Sequence, residues 1–186
     1  AVETGSIKAL VLSYPFDEEA AEFECSNSVL NDVWDLCKYS IKATSLDLYV
    51  DTFTRERLPY EGDAYINQLS HYCVDREFAL PRYSIEYLYY RPTWPTEYKQ
   101  LSVLMAWEDY MYTGNKESLE QNYAVLTTKP LDWCINADDL VEKPIKDDLI
   151  DWPNSQRDGY VFTDVNTVIN SINYKALRDM ASIASV

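Results

Sequence analysis

Histidine, glycine and paired cysteines are scarce in this sequence. It contains 1 His, 4 Gly and 4 Cys among 186 residues. The cysteines are widely separated and form no CxxC pair, so a structural zinc site of the common kind is not expected. The acidic stretch 136–152 does not have the spacing of a calcium loop either. We therefore predict no metal or other cofactor, and four free thiols that are mostly buried, at Cys25, Cys37, Cys73 and Cys134.

Positive charge and long apolar runs are scarce as well. The 16 Lys and Arg residues are outnumbered by 31 Asp and Glu residues, which gives a net charge of −15. This charge argues against nucleic acid and anionic membranes as partners, and it fits a neutral or cationic ligand. No apolar run approaches the length of a membrane-spanning helix. Aromatic residues, in contrast, make up 14% of the chain, and its 16 Tyr and 5 Trp suit a lined cleft as well as a core.

The pattern along the chain predicts an all-α domain that follows a short extended segment. IKALVLSYP (7–15) and AEFECS (21–26) are rich in strand-forming residues, so residues 1–25 are assigned to a β-rich strand or linker segment from a preceding domain. After residue 25, apolar periodicity and capping residues indicate helices without heptads or a fixed repeat. This favours antiparallel helical hairpins. The helices are predicted at 26–43, 62–75, 78–90, 96–114, 115–136 and 163–184.

Residues 51–63, DTFTRERLPYEGD, concentrate charge between two predicted helices. Pro59 disfavours a helix through Leu58, so the stretch is predicted to be an irregular loop that leads into the second helix. Residue types alone leave two interpretations open. The stretch is either a charged surface turn, whose ion pairs contribute about 0–1 kcal/mol each, or a polar pocket. In a pocket, carboxylates balanced by arginines could form a general acid.

The order of residues in this stretch resembles the signature of the bacterial α-L-rhamnosidases, a family of inverting glycoside hydrolases. That signature is close to D-C-P-Q-R-E-R-x-x-W-x-G-D. Here Thr, Phe and Thr stand at 52–54, and Tyr60 replaces the tryptophan. Almost the whole chain is similar in the same order, with Ile150 in place of a glycine in the last segment. The similar segments are FECSNSVLNDVW (23–34), PTWPTEYKQLSVLMAWEDYMYTGNKESLEQNY (92–123) and LIDWPNSQRDGY (149–160).

The resemblance implies an (α/α)6 toroid of six helical hairpins that hydrolyses terminal α-L-rhamnosides with inversion. Glu56 would be the general acid that protonates the leaving glycosidic oxygen. An inverting mechanism also needs a second carboxylate, about 6.5–9.5 Å away, to activate water. We find no motif for this general base in the sequence. The residues that would bind the sugar hydroxyls or form the walls of the pocket are Asp51, Arg55, Asp63, Tyr60, Trp94, Asp151 and Trp152.

Six helices are about half of a twelve-helix toroid, and the last predicted helix ends in the apolar sequence SIASV. We therefore expect residues 26–186 to be the N-terminal half of the catalytic domain, inactive alone, with the remainder and the general base C-terminal to it. Family members are often periplasmic or secreted, so those locations are favoured over the cytoplasm. Two alternatives stay open. One is a non-catalytic carbohydrate-binding or structural fragment, and the other is a toroid glycosidase for another sugar.

Two further polar residues, His71 and Glu97, lie outside the charged stretch. His71 lies inside a predicted helix, and nothing nearby completes a nucleophilic triad, so a structural role is expected. Glu97 lies near aromatic residues at the start of the fourth predicted helix. It is interpreted either as a pocket group or as part of an exposed helix face.

Overall fold

The computed structural model of the chain describes residue 5, residues 8–142 and residues 147–186, and this described part is helical. The prediction of an all-α fold with six helices is confirmed. Two short 3-10 turns lie in the connection between the fifth and sixth helices, at Asp132–Cys134 and Asn154–Gln156. The helices are α1 (Ser28–Thr44), α2 (Glu61–Val74), α3 (Ala79–Tyr90), α4 (Thr96–Thr113), α5 (Glu117–Leu126) and α6 (Thr167–Ile183).

The ends of the helices follow local sequence signals. The side chain of Asn27 caps α1 by accepting a hydrogen bond from a first-turn amide at 3.0 Å. Pro81 lies in the first turn of α3, where its missing N–H is not needed. Gly114 ends α4 in the left-handed conformation, with φ of 67°. α5 ends at Leu126, ten residues before its predicted end at 136, because Pro130 cannot continue a helix.

α4 is the central helix of the described fold. Residues 101–106 are all buried, whereas a surface helix would bury only one stripe. α4 contacts α2, α3, α5 and α6, while α3 contacts α5 and α1 contacts α2. Together with a contact between α2 and α3, these contacts place consecutive helices from α1 to α5 side by side and α6 against α4. This is the arrangement expected of stacked helical hairpins.

The predicted β-rich segment at the N-terminus is wrong for the residues that the structure describes. No strand occurs between residues 8 and 27, and residues 1–4 and 6–7 of the predicted segment lie outside the described residues. Leu10, Val11 and Leu12 are 97%, 88% and 82% exposed. A strand must satisfy its backbone groups by pairing with a neighbour, and no strand lies beside this segment in the described chain. Strand-forming composition alone therefore did not produce a strand.

The cysteines are free, as predicted, but the expectation that they are mostly buried is wrong. Cys37 and Cys73 are exposed, and Cys25 and Cys134 are partly exposed. Cys37 lies on α1, which buries only Ile41 in the described structure. Among the described helices, none has both the length and the apolar character required to cross a membrane.

Candidate active site

Three segments enclose a cavity of about 470 Å³ at the N-terminal ends of α2 and α4. They are the loop before α2 with the first turn of that helix, the residues around the start of α4, and residues 149–152 of the connection between α5 and α6. The lining includes all eight residues singled out from the sequence: Asp51, Arg55, Glu56, Tyr60, Asp63, Trp94, Asp151 and Trp152. It also includes four residues that the sequence did not indicate: Thr52, Pro95, Tyr98 and Leu149.

The charged loop is closed on itself between Asp51 and Leu58. The N–H of Asp51 donates to the carbonyl oxygen of Leu58 at 3.0 Å, and the N–H of Leu58 donates to Asp51 Oδ1 at 3.2 Å. Within this loop, the N–H of Arg55 donates to Thr52 Oγ1 at 3.2 Å. Arg57 takes a positive φ of 54°, which helps to reverse the chain. The hydrogen bonds fix the backbone that carries Glu56 without using the carboxyl group of Glu56.

This loop is attached to the core two residues before Asp51. Tyr49 is buried, its N–H donates to Ser84 Oγ of α3 at 3.1 Å, and its hydroxyl lies 2.7 Å from Nδ1 of His71 on α2. Burial lowers the pKa of His71, which favours the neutral ring whose Nδ1 can accept a hydrogen bond from the phenol. His71 is fully buried, so it contributes to the core rather than to the cavity lining.

Glu56 lies at the open side of the cavity. Its Oε1 is 3.0 Å from Nη2 of Arg55, and the two side chains are 34% and 67% exposed. An ion pair so exposed contributes about 0–1 kcal/mol, so a ligand could displace it at little cost. Burial raises the pKa of Tyr60, and the charge of Glu56 raises it further. The carboxyl group of Glu56 and the phenol of Tyr60 therefore face the same small volume.

The interior of the cavity is acidic. Burial raises the pKa of Asp63, and the charges of Asp51 and Glu56 raise it further, while a hydrogen bond from its own backbone N–H lowers it. Among the described residues, no group of three or more His, Cys, Asp or Glu side chains is arranged to hold a metal ion. Ionised carboxylates are acceptors only, so this arrangement suits a neutral ligand with several hydroxyl donors.

Tyr98 lines the cavity beside the first turn of α2. Burial raises its pKa to about 12, and the charge of Asp63 contributes to this shift. Its ring lies so close to Gly62 that a Cβ atom at that position would be 2.6 Å from Tyr98 Cζ. The glycine of the motif therefore has a packing reason, since a side chain at this position would force the ring of Tyr98 to move.

Two tryptophans supply apolar surface at the cavity. Trp94 and Trp152 are 54% and 57% exposed, although both belong to the cavity lining. Pro95, which follows Trp94, is buried and precedes the first turn of α4. Exposed indole faces of this kind can stack on the C–H face or methyl group of a sugar because they are large and apolar.

The segment that carries Trp152 has an unusual backbone. Ile150 has a φ of 64°, in the left-handed region that β-branched residues rarely adopt. The resemblance described above implies a glycine at this position in the family, and glycine adopts this conformation freely. The following residues are held by local hydrogen bonds. The N–H of Asp151 donates to the carbonyl oxygen of Leu149 at 2.7 Å, and the carbonyl oxygen of Asp151 accepts from Nε of Arg157 at 2.9 Å.

Glu97 is placed differently from either expectation. It is only 3% exposed and does not line the cavity. Its carboxylate accepts hydrogen bonds from the backbone N–H groups of Leu149 and Ile150. No sequence signal indicated this contact, because the amides lie about fifty positions away and any residue type except proline supplies one.

Comparison with known protein families gives a single clear result. The family model for the bacterial alpha-L-rhamnosidase six-hairpin glycosidase domain matches residues 18–186. No curated protein matches the chain significantly. The match covers all six helices, the charged loop and the three segments around the cavity. The chain therefore belongs to the bacterial alpha-L-rhamnosidase six-hairpin glycosidase domain family.

Proposed function

We propose that the cavity binds a terminal α-L-rhamnosyl residue and that the protein hydrolyses α-L-rhamnosides with inversion at the anomeric carbon. One observation carries the proposal. All eight residues implied by the resemblance line one cavity, although they come from three separate segments of a chain that belongs to this family. A charged surface turn would not need the tryptophans of two distant segments around it.

The sugar is held by complementary polar and apolar groups. Asp51 and Asp63 accept hydrogen bonds from its hydroxyls, and the guanidinium of Arg55 donates to a hydroxyl or ring oxygen. Trp94 and Trp152 cover the apolar face and the methyl group that distinguishes a 6-deoxy sugar. The high net negative charge of the chain is compatible with such a ligand, since the sugar carries no charge to be repelled.

Glu56 is proposed as the general acid. It gives its proton to the glycosidic oxygen as the bond from that oxygen to the anomeric carbon breaks, so the aglycone leaves as a neutral alcohol. Water attacks the anomeric carbon from the opposite face and forms the new C–O bond. The proton of this water passes to a second carboxylate. We assign that general base to a part of the six-hairpin domain other than the six helices described here.

The test is turnover of aryl α-L-rhamnosides by the full-length protein. The Glu56→Gln variant should lose about 10²- to 10⁴-fold in kcat/KM on a substrate with a poor leaving group. The loss should be much smaller on a dinitrophenyl rhamnoside, whose leaving group needs no proton. Proton NMR should show β-rhamnose as the first product. Glu120→Gln, a change at an exposed position on α5, is the matched control and should retain full activity.

Three results would contradict the proposal. Equal losses on both leaving groups would show that Glu56 is not the acid, and α-rhamnose as first product would rule out inversion. Rhamnose binding without cleavage of any rhamnoside by the full-length protein would favour a carbohydrate-binding role instead.

A further inference from the structure

Two buried glutamates outside the cavity hold the two segments that carry its tryptophans. Glu61 is 0% exposed and Glu97 is 3% exposed, and neither belongs to the cavity lining. Each lies in the first turn of a helix, Glu61 in α2 and Glu97 in α4. Each directs its carboxylate away from its own helix to backbone groups beside Trp94 or Trp152.

Glu97 binds the segment that carries Trp152. Its Oε1 accepts from the N–H of Leu149 at 3.0 Å and from the N–H of Ile150 at 2.6 Å. Ile150 is the residue with a φ of 64°, a conformation that costs an isoleucine free energy and persists only where the surroundings enforce it. Hydrogen bonds to a charged acceptor are stronger than neutral ones, and the bond that the N–H of Ile150 donates to Glu97 provides that enforcement two residues before Trp152.

Glu61 binds the segment that carries Trp94 in a parallel way. Its Oε1 accepts from the N–H of Thr93 at 3.0 Å, and its other oxygen accepts from the hydroxyl of the same residue. Burial lowers the pKa of the buried Lys129. The charge of Glu61 partly offsets this effect, because it favours the ionised ammonium group of Lys129. A buried carboxylate is thus satisfied by the residue that immediately precedes Trp94.

We propose that Glu61 and Glu97 are positioning residues that set the distance between Trp94 and Trp152 and so determine the fit of the sugar between them. The inference rests on the proposed function for the identity of the sugar. A purely structural role would need no particular partner, but both carboxylates contact the segments that carry the exposed indoles. They act through the backbone, so the sugar itself is not expected to contact them.

The first experiment measures hydrogen exchange of backbone amides in the full-length protein without substrate. Glu97→Gln keeps the size of the side chain but replaces one acceptor oxygen and removes the charge. Exchange of the 149 and 150 amides should accelerate about tenfold, while that of Thr93 stays unchanged. Glu61→Gln should do the reverse. Glu86→Gln is the matched control, because this carboxylate joins α3 to Ser118 of α5 and should affect neither segment.

The second experiment separates positioning from general stability by steady-state kinetics on an aryl α-L-rhamnoside. Each of Glu61→Gln and Glu97→Gln should raise KM about tenfold, equivalent to about 1.4 kcal/mol, with kcat nearly unchanged, because the tryptophans bind ground state and transition state alike. Glu86→Gln should alter neither parameter, even if it lowers the melting temperature similarly.

The outcomes distinguish this inference from the proposed function. Unchanged amide exchange in both segments overturns the positioning role whether or not the protein cleaves rhamnosides. Equal changes in KM from Glu86→Gln overturn it as well, because they would show a general loss of stability. Segment-specific exchange in a protein that cleaves no rhamnoside supports the positioning of the tryptophans and refutes only the proposed substrate.

Discussion

Replacement of Gly62 by alanine tests whether the first turn of α2 and the ring of Tyr98 form one closely packed wall of the cavity. An added Cβ would lie 2.6 Å from Cζ, 2.8 Å from the hydroxyl oxygen and 2.9 Å from Cε1 of Tyr98. Carbon atoms in contact prefer about 3.5–4.0 Å, so the ring must move by about 1 Å. Because Tyr98 lines the cavity, this movement should change the space available to a sugar.

Two opposing effects decide the change in stability. Alanine is favoured over glycine in a helix by about 1 kcal/mol, although less in the first turn, where Gly62 lies. Overpacking costs about 1–3 kcal/mol, and the far end of a tyrosine side chain can relieve part of that cost by rotating. We therefore expect Gly62→Ala to destabilise the fold by about 0–2 kcal/mol and to weaken rhamnose binding more clearly than it changes stability.

A double-mutant cycle with Tyr98→Ala gives the decisive measurement. It compares the free energy of unfolding in urea for the parent protein, the two single variants and the double variant. Without the ring, Gly62→Ala should be neutral or stabilising, so the coupling free energy should reach about 1 kcal/mol or more. The Tyr98→Ala background is the control, because it retains the same change in helix propensity. Additive effects within about 0.3 kcal/mol would refute the close contact, as would an unchanged affinity for rhamnose in Gly62→Ala.

Two other predictions concern the cavity. Asp63→Asn should raise the melting temperature at neutral pH, because burial and neighbouring carboxylates raise the pKa of Asp63 above 3.8. The same substitution should abolish rhamnose binding. The ionised group then costs stability above its folded-state pKa, so the gain should disappear in unfolding measured below pH 3.8; a gain that is independent of pH would contradict this. Rhamnose should change the tryptophan fluorescence, and Trp94→Phe or Trp152→Phe should reduce this change. Trp133→Phe, at a site that is 64% exposed but outside the cavity lining, should retain it, and equal effects of all three would contradict the placement of the sugar.

The helices could be predicted from the sequence because their signals are local. Asn27 accepts from an amide two residues away, and Gly114 takes up the left-handed conformation at the last turn of its own helix. The N-terminal strand that composition predicted does not form in the described residues, because a strand also depends on a partner elsewhere in the chain. Leu10 and its neighbours have the composition of a strand and remain exposed.

The candidate site was found largely through the order of residues rather than their type. Charge alone left residues 51–63 open to interpretation as a surface turn, and the exposed ion pair of Arg55 and Glu56 is what such a turn would contain. The cavity becomes visible only when Trp94 and Trp152 are added from distant segments. Tyr98 was missed because its contact with Gly62 joins two helices, and neither residue alone indicates it.

The buried glutamates show why some parts of a site are hidden in the sequence. Glu61 and Glu97 bind backbone N–H groups, which almost every residue supplies, so the partner leaves no mark on the sequence. A glutamate in the first turn of a helix is also expected for a simpler reason, since its charge is favourable near the positive end of the helix dipole. Burial is the observation that separates the two explanations. A carboxylate with 0% or 3% exposure needs hydrogen-bond donors to offset its cost of burial, and the amides beside the tryptophans are among those donors. Those amides each lie within three residues of a cavity tryptophan. Their position therefore connects an otherwise ordinary helix start to the geometry of the proposed sugar site.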